Sequence, residues 1–85
     1  MSCSNLPVQV ILHCDAKGDL RPLRFQYTDG SGQQCVVHVV EITDIRKVEF
    51  SGIETLLYLC RSEENLYELK YLVQAHKWVL FRKIY

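Results

Sequence analysis

The residues of this 85-residue chain most able to do chemistry are its four cysteines and three histidines, and zinc ligation is the first chemistry to test. Structural zinc sites draw their ligands from closely spaced pairs of the Cys-x-x-Cys kind. Cys3, Cys14, Cys35, Cys60, His13, His38 and His76 contain no such pair. His13 and Cys14 are neighbours, and on a strand neighbouring side chains point to opposite faces, so they do not share an ion. Nucleophilic catalysis asks instead for a cysteine or serine in reach of a base, and the fold would have to create it by bringing together Cys35 with His38 or Cys60 with His76. Ser31 and Ser51 sit in no nucleophile elbow. Gly30 and Gly32 lack the lysine and the strand–loop–helix setting of a phosphate-binding loop. Asp15, Asp19, Asp29 and Asp44 fall in turn-forming stretches, where a carboxylate bonds nearby backbone amides. The expectation is a chain that is not an enzyme, with no cofactor and no metal, whose thiols act as small apolar fillers.

A binding face is the reading these residues favour. Tyr67, Tyr71 and Trp78 are interleaved with Lys70, Lys77, Arg82 and Lys83, and Arg21 and Arg24 flank an earlier strand. On a pleated surface such rings and cations form a platform where bases stack and phosphates meet charge. Aromatic and arginine side chains are equally the anchors of protein interfaces. The competing reading makes the rings core packing, with lysine stems lying along them. Ten basic and ten acidic residues cancel, so no whole-molecule field draws polyanions. A protein partner is therefore expected first, with weak nucleic-acid binding as the alternative. The charge is tilted: the first 45 residues hold three basic and five acidic groups, the remaining 40 seven and five.

The elements that must position these side chains read as strands. Residues 8–14 are rich in β-branched types and end in the turn formers Asp15-Ala16-Lys17-Gly18-Asp19. Leu23, Phe25 and Tyr27 alternate with Arg24, Gln26 and Thr28, which predicts a strand with the first three inward and Arg24 outward, closed by Asp29-Gly30-Ser31-Gly32. Pro22 stands at that strand's start, a position that tolerates the missing donor. Residues 35–42 hold four valines and predict a central strand covered on both faces. Residues 43–47 interrupt it, and Val48-Glu49-Phe50 continue after a bulge or bend to the turn Ser51-Gly52. Residues 56–60 form another apolar run. Residues 66–73 satisfy both helical and strand spacing. The strand is favoured because residues 74–77 suit a short loop from which 78–85 return as a partner.

Together these give an all-β class: a single small antiparallel meander or partly open barrel of five to six strands, of SH3 or OB size, over residues 6–85, with 1–5 disordered. Length allows one domain. The N-terminus shows no basic region, and the apolar run at 8–12 is shorter than a signal core of roughly 7–15 residues, so a reduced, cytoplasmic setting without disulfides is expected. No stretch approaches the roughly 20 apolar residues of a membrane-spanning helix. The terminal strand has alternate apolar positions that suit edge pairing and lysines that oppose it, which leaves monomer and homodimer both open.

One ordered set of short motifs resembles a known group. Gly18-Asp19-Leu20-Arg21-Pro22-Leu23-Arg24-Phe25-Gln26-Tyr27, then Val39-Val40-Glu41-Ile42, Tyr58-Leu59-Cys60-Arg61, Tyr67-Glu68-Leu69-Lys70-Tyr71 and Trp78-Val79-Leu80-Phe81 resemble an uncharacterised family of small bacterial proteins, mainly of Firmicutes. Members share an Arg-Pro-x-x-Phe strand and a Tyr-Glu-Leu to Trp-x-Leu ending, and are encoded near error-prone DNA polymerases. The resemblance spans residues 8–84. It implies a β-rich fold, a bacterial cytosol and an accessory or adaptor role in DNA repair or damage bypass by contact with a polymerase or repair protein. It brings no catalytic residue.

Overall fold

A computed structural model describes residues 5–85; most of the N-terminal segment expected to be disordered lies outside them. The described residues form eight strands and no helix: β1 (Leu6–Pro7), β2 (Gln9–Cys14), β3 (Leu20–Thr28), β4 (Gln34–His38), β5 (Glu41–Phe50), β6 (Ile53–Arg61), β7 (Leu66–Leu72) and β8 (Lys77–Lys83). All pairings are antiparallel, in a five-stranded sheet of order β1-β8-β7-β6-β5 and a three-stranded sheet of order β2-β3-β4 that do not close into a barrel. Among the described residues no helix is long and apolar enough to cross a membrane.

The all-β meander is as the sequence predicts, and six runs become eight strands because the valine run divides between the sheets and Leu6–Pro7, ahead of the first run, add a short strand. Val8 separates β1 from β2, its amide donating to the Trp78 carbonyl of the larger sheet. The valine run expected as one central strand divides between two edges. Val39 donates to Leu23 of the smaller sheet at 2.9 Å, and Val40 to Arg61 of the larger at 2.8 Å. Strands that switch sheets through a bend are how sandwich corners are made. The run is accordingly not covered on both faces, and Val40 stays 55% exposed. The ambiguous segment at 66–72 is a strand, paired on both sides. The terminal strand is not a sheet edge, since β1 pairs with Val79 and Leu80.

Two bulges correct the expected alternation. Ile11 pairs with Arg24 but Leu12 with Pro22, so Leu23 is the extra residue. Pro22 is fully buried in its place and Leu23 is 45% exposed. In β8, Leu80 pairs with Leu69 but Arg82 with Glu68, which carries Arg82 to the outer face.

The core joins Phe25 and Val37 of the smaller sheet to Tyr58, Cys60, Tyr67, Leu69, Trp78 and Leu80 of the larger. Phe25 meets Tyr67 edge-on at 5.3 Å, and Trp78 lies 5.1 Å from Tyr58 and 4.8 Å from Tyr71. Such ring pairs add about 0.5–1.5 kcal/mol each beyond the area they bury. The Tyr58 hydroxyl donates to the Leu20 carbonyl at 2.9 Å and ties the sheets together.

Both hairpins of the smaller sheet use one five-residue loop design, Asp-x-x-Gly-x, at residues 15–19 and 29–33. In each, the aspartate amide donates to the fifth residue's carbonyl and the glycine amide to the aspartate carbonyl. One carboxylate oxygen of the aspartate accepts from the third and fifth amides. Gly18 and Gly32 take φ of 90° and 86°. The turn at Ser51-Gly52 has φ of 52° and 80°, the two positive values that a two-residue hairpin of right-handed strands requires.

Gly18→Ala and Gly32→Ala are each expected to cost about 1–2 kcal/mol, from the left-handed backbone alone. Nothing lies within 4 Å of either added Cβ. A fall in the urea midpoint at unchanged slope is the measurement. The Asp29 carboxyl is held below its ordinary 3.8 by the Ser31 hydroxyl and by the Gln33 and Ser31 amides. The folded state therefore favours the carboxylate, whose contribution is complete above the unfolded value and lost as pH falls through the folded one. Asp29→Asn is expected to lower stability at pH 7 and to flatten its decline between about pH 5 and pH 2.

Candidate interaction surfaces

The rings and cations singled out in the sequence do not share one face. Tyr67, Tyr71 and Trp78 point inward from β7 and β8; Tyr67 and Trp78 belong to the core and Tyr71 packs against it. Tyr71 also shares a 3.1 Å hydrogen bond with Nδ1 of His76. Lys70 points outward and is already engaged. Its ammonium lies 4.1 Å from the Phe81 ring centre and 4.5 Å from that of Phe50, and donates to Asn5 Oδ1 at 3.0 Å. Arg82 is paired with Glu68 at 2.8 Å. Lys77 and Lys83 are exposed at the two ends of β8.

Four cations of the larger sheet are paired with carboxylates. Besides Arg82, Arg46 meets Asp44 at 2.9 Å, Lys47 meets Glu54 at 2.7 Å and Arg61 meets Glu41 at 3.0 Å. Such exposed pairs stabilise by only about 0–1 kcal/mol each, but they cancel the local field.

The smaller sheet differs. Strands β2, β3 and β4 contain no aspartate or glutamate. Its outer face carries the cross-strand row Ile11–Arg24–His38, the pair His13–Arg21 and the row Gln9–Gln26–Val36. Among the described residues neither Arg21 nor Arg24 has an ion-pair partner. Ile11, Leu23 and Val36 are about half exposed among them. The sequence signal for this face is the absence of carboxylates across three successive strands, which aromatic spacing does not report.

The reactive residues are placed for other work. Cys60 is wholly buried, and burial pushes its thiol up to about 12. His76 bonds Tyr71, not Cys60. The Cys35 thiol lies 3.7 Å from Asp29 Oδ2. Cys14 is exposed, contrary to the expectation that it fills the core. Burial, with Tyr67 and Cys35 close by, pushes the Tyr27 hydroxyl up to about 12; burial also raises Tyr58 and Tyr67. Among the described residues no group of three His, Cys, Asp or Glu side chains is placed to hold a metal ion.

Comparison with protein families, with curated proteins and with solved structures finds no match.

Trp78→Ala is expected to cost about 3–5 kcal/mol, as for other large buried aromatics. The Lys77→Ala/Lys83→Ala pair should change stability by no more than about 0.5 kcal/mol. Denaturant melts of the three proteins check the assignment of ring to core and lysine to surface.

Proposed function

We propose that the chain is a non-enzymatic accessory domain that docks on an acidic protein surface through the outer face of its three-stranded sheet. The observation that carries this reading is the carboxylate-free strip of Arg21, Arg24, His13 and His38, set among exposed Ile11, Leu23 and Val36. Unpaired arginines with apolar neighbours are the composition of interface anchors. Guanidinium groups take carboxylates in a bidentate fork, and the flanking apolar side chains gain by leaving water. A phosphate backbone uses the cations and leaves those apolar groups without contacts. Stacking of bases is further disfavoured because Tyr67, Tyr71 and Trp78 are turned inward.

The resemblance to proteins encoded beside error-prone polymerases directs the search for the partner to the bacterial damage-bypass machinery, where this domain acts as an adaptor. The test immobilises the whole chain and passes over it a damage-bypass polymerase of the source organism and, separately, labelled single-stranded oligothymidylate. Retention of the polymerase is expected. It should weaken with salt and fall on the order of tenfold or more in Arg21→Glu/Arg24→Glu. Binding of the oligonucleotide alone, lost in the same variant, overturns this reading in favour of nucleic acid. Retention of neither overturns both.

A further inference from the structure

Three strands do not cover five. The part of the larger sheet's inner face left bare forms a cleft of about 850 Å³, inside the range of roughly 300–1,000 Å³ typical of ligand sites. Its floor is Leu56, Tyr58, Tyr71 and Val73. Its walls are runs of consecutive residues, 18–21 on the β2–β3 hairpin and 42–45 on β5. Consecutive strand residues alternate between faces, so the run 42–45 of β5 borders the cleft with its backbone edge. Both edges are open there. β4 pairs with β3 only from Arg24 onward, and β5 has β6 on one side alone. Ile45, at the lip, is 51% exposed although it stands on the inner face beside Tyr58.

We propose that this cleft receives an extended segment of a partner protein, which adds as a strand to the free edge of β5 and lays its apolar side chains on the floor. In strand addition the backbone supplies the affinity and alternate side-chain positions the specificity. The edge is guarded against indiscriminate pairing by the irregularity at Thr43 and by Asp44, Arg46, Lys47 and Glu49. The charges around the cleft select the segment. Asp44 is already paired with Arg46, which leaves Asp15 and Asp19 lining the cleft against one guanidinium, that of Arg21, so the segment alternates apolar residues with lysine or arginine. His13 and Arg21 border both this cleft and the docking face, but the edge that would take the added strand belongs to β5 of the other sheet, so the proposal stands whether or not that face binds an acidic partner.

The test titrates the isotope-labelled full chain with an octapeptide of alternating valine and lysine and follows backbone amide shifts and hydrogen exchange. Alternate amides between Thr43 and Phe50 should shift and exchange more slowly. Ile45→Lys, at an exposed position, should weaken binding on the order of tenfold or more with the remaining spectrum unchanged. A peptide with proline at every second position should not bind, because it lacks the donors. Shifts absent from β5, or equal binding of the proline peptide, overturn strand addition. Equal binding of an alternating valine–glutamate peptide overturns the basic segment.

Discussion

The amides of Val39 and Val40 are neighbours in the chain and donate to different sheets, and the rest of the architecture depends on that division. A strand kept wholly in one sheet would aim these two successive amides at its two neighbours in that sheet and give a single continuous surface. Here the chain bends, β4 remains with β3, and β5 departs to begin the larger sheet. Val8 makes the corresponding bend at the other corner. Together they fix how many strands each sheet holds, and hence how far one covers the other.

Packing follows from this division. The smaller sheet contributes Phe25 and Val37 to the buried cluster, the larger sheet six residues, four of the eight being aromatic. The Tyr58 hydroxyl bond to Leu20 holds the hairpin at the border of the covered region. Beyond it the floor of the larger sheet is open, while on the far surfaces charge divides along the same line. Four of the cations on the five strands are paired with carboxylates, whereas the three strands carry cations alone.

Fold class was legible because period-two alternation survives in most runs. Leu66, Leu69, Leu72 and Val73 fitted a helix as well as Tyr67, Leu69 and Tyr71 fitted a strand, and pairing on both sides decides between them. The corner at Val39 and Val40 was not legible. It uses neither glycine nor proline, and four valines favour an extended backbone without saying which sheet supplies the partner. Leu23 misled for a related reason: a one-residue bulge reverses every side chain beyond it, so Pro22 takes the inward position. Of the residues expected to form a site, Arg21 and Arg24 stay together on an open face. Tyr67 and Trp78 are core, Tyr71 packs against it, and Lys70 and Arg82 are held by local partners. Sequence shows where rings and cations occur, but the face each occupies depends on bulges set by neighbouring strands.

The β1 ladder differs from every other ladder in the described fold. The remaining pairings join segments that follow one another along the chain, so each closes only a short loop. Leu6 and Pro7 meet Leu80 and Val79 across nearly the whole polypeptide, and those two residues must offset the largest loop-closure entropy in the molecule. Assembly can therefore proceed as two local meanders that zip independently, with the N-terminal strand docking last. The same imbalance makes that strand the cheapest to release, so the corner at Val8 is a latch whose opening leaves both meanders intact.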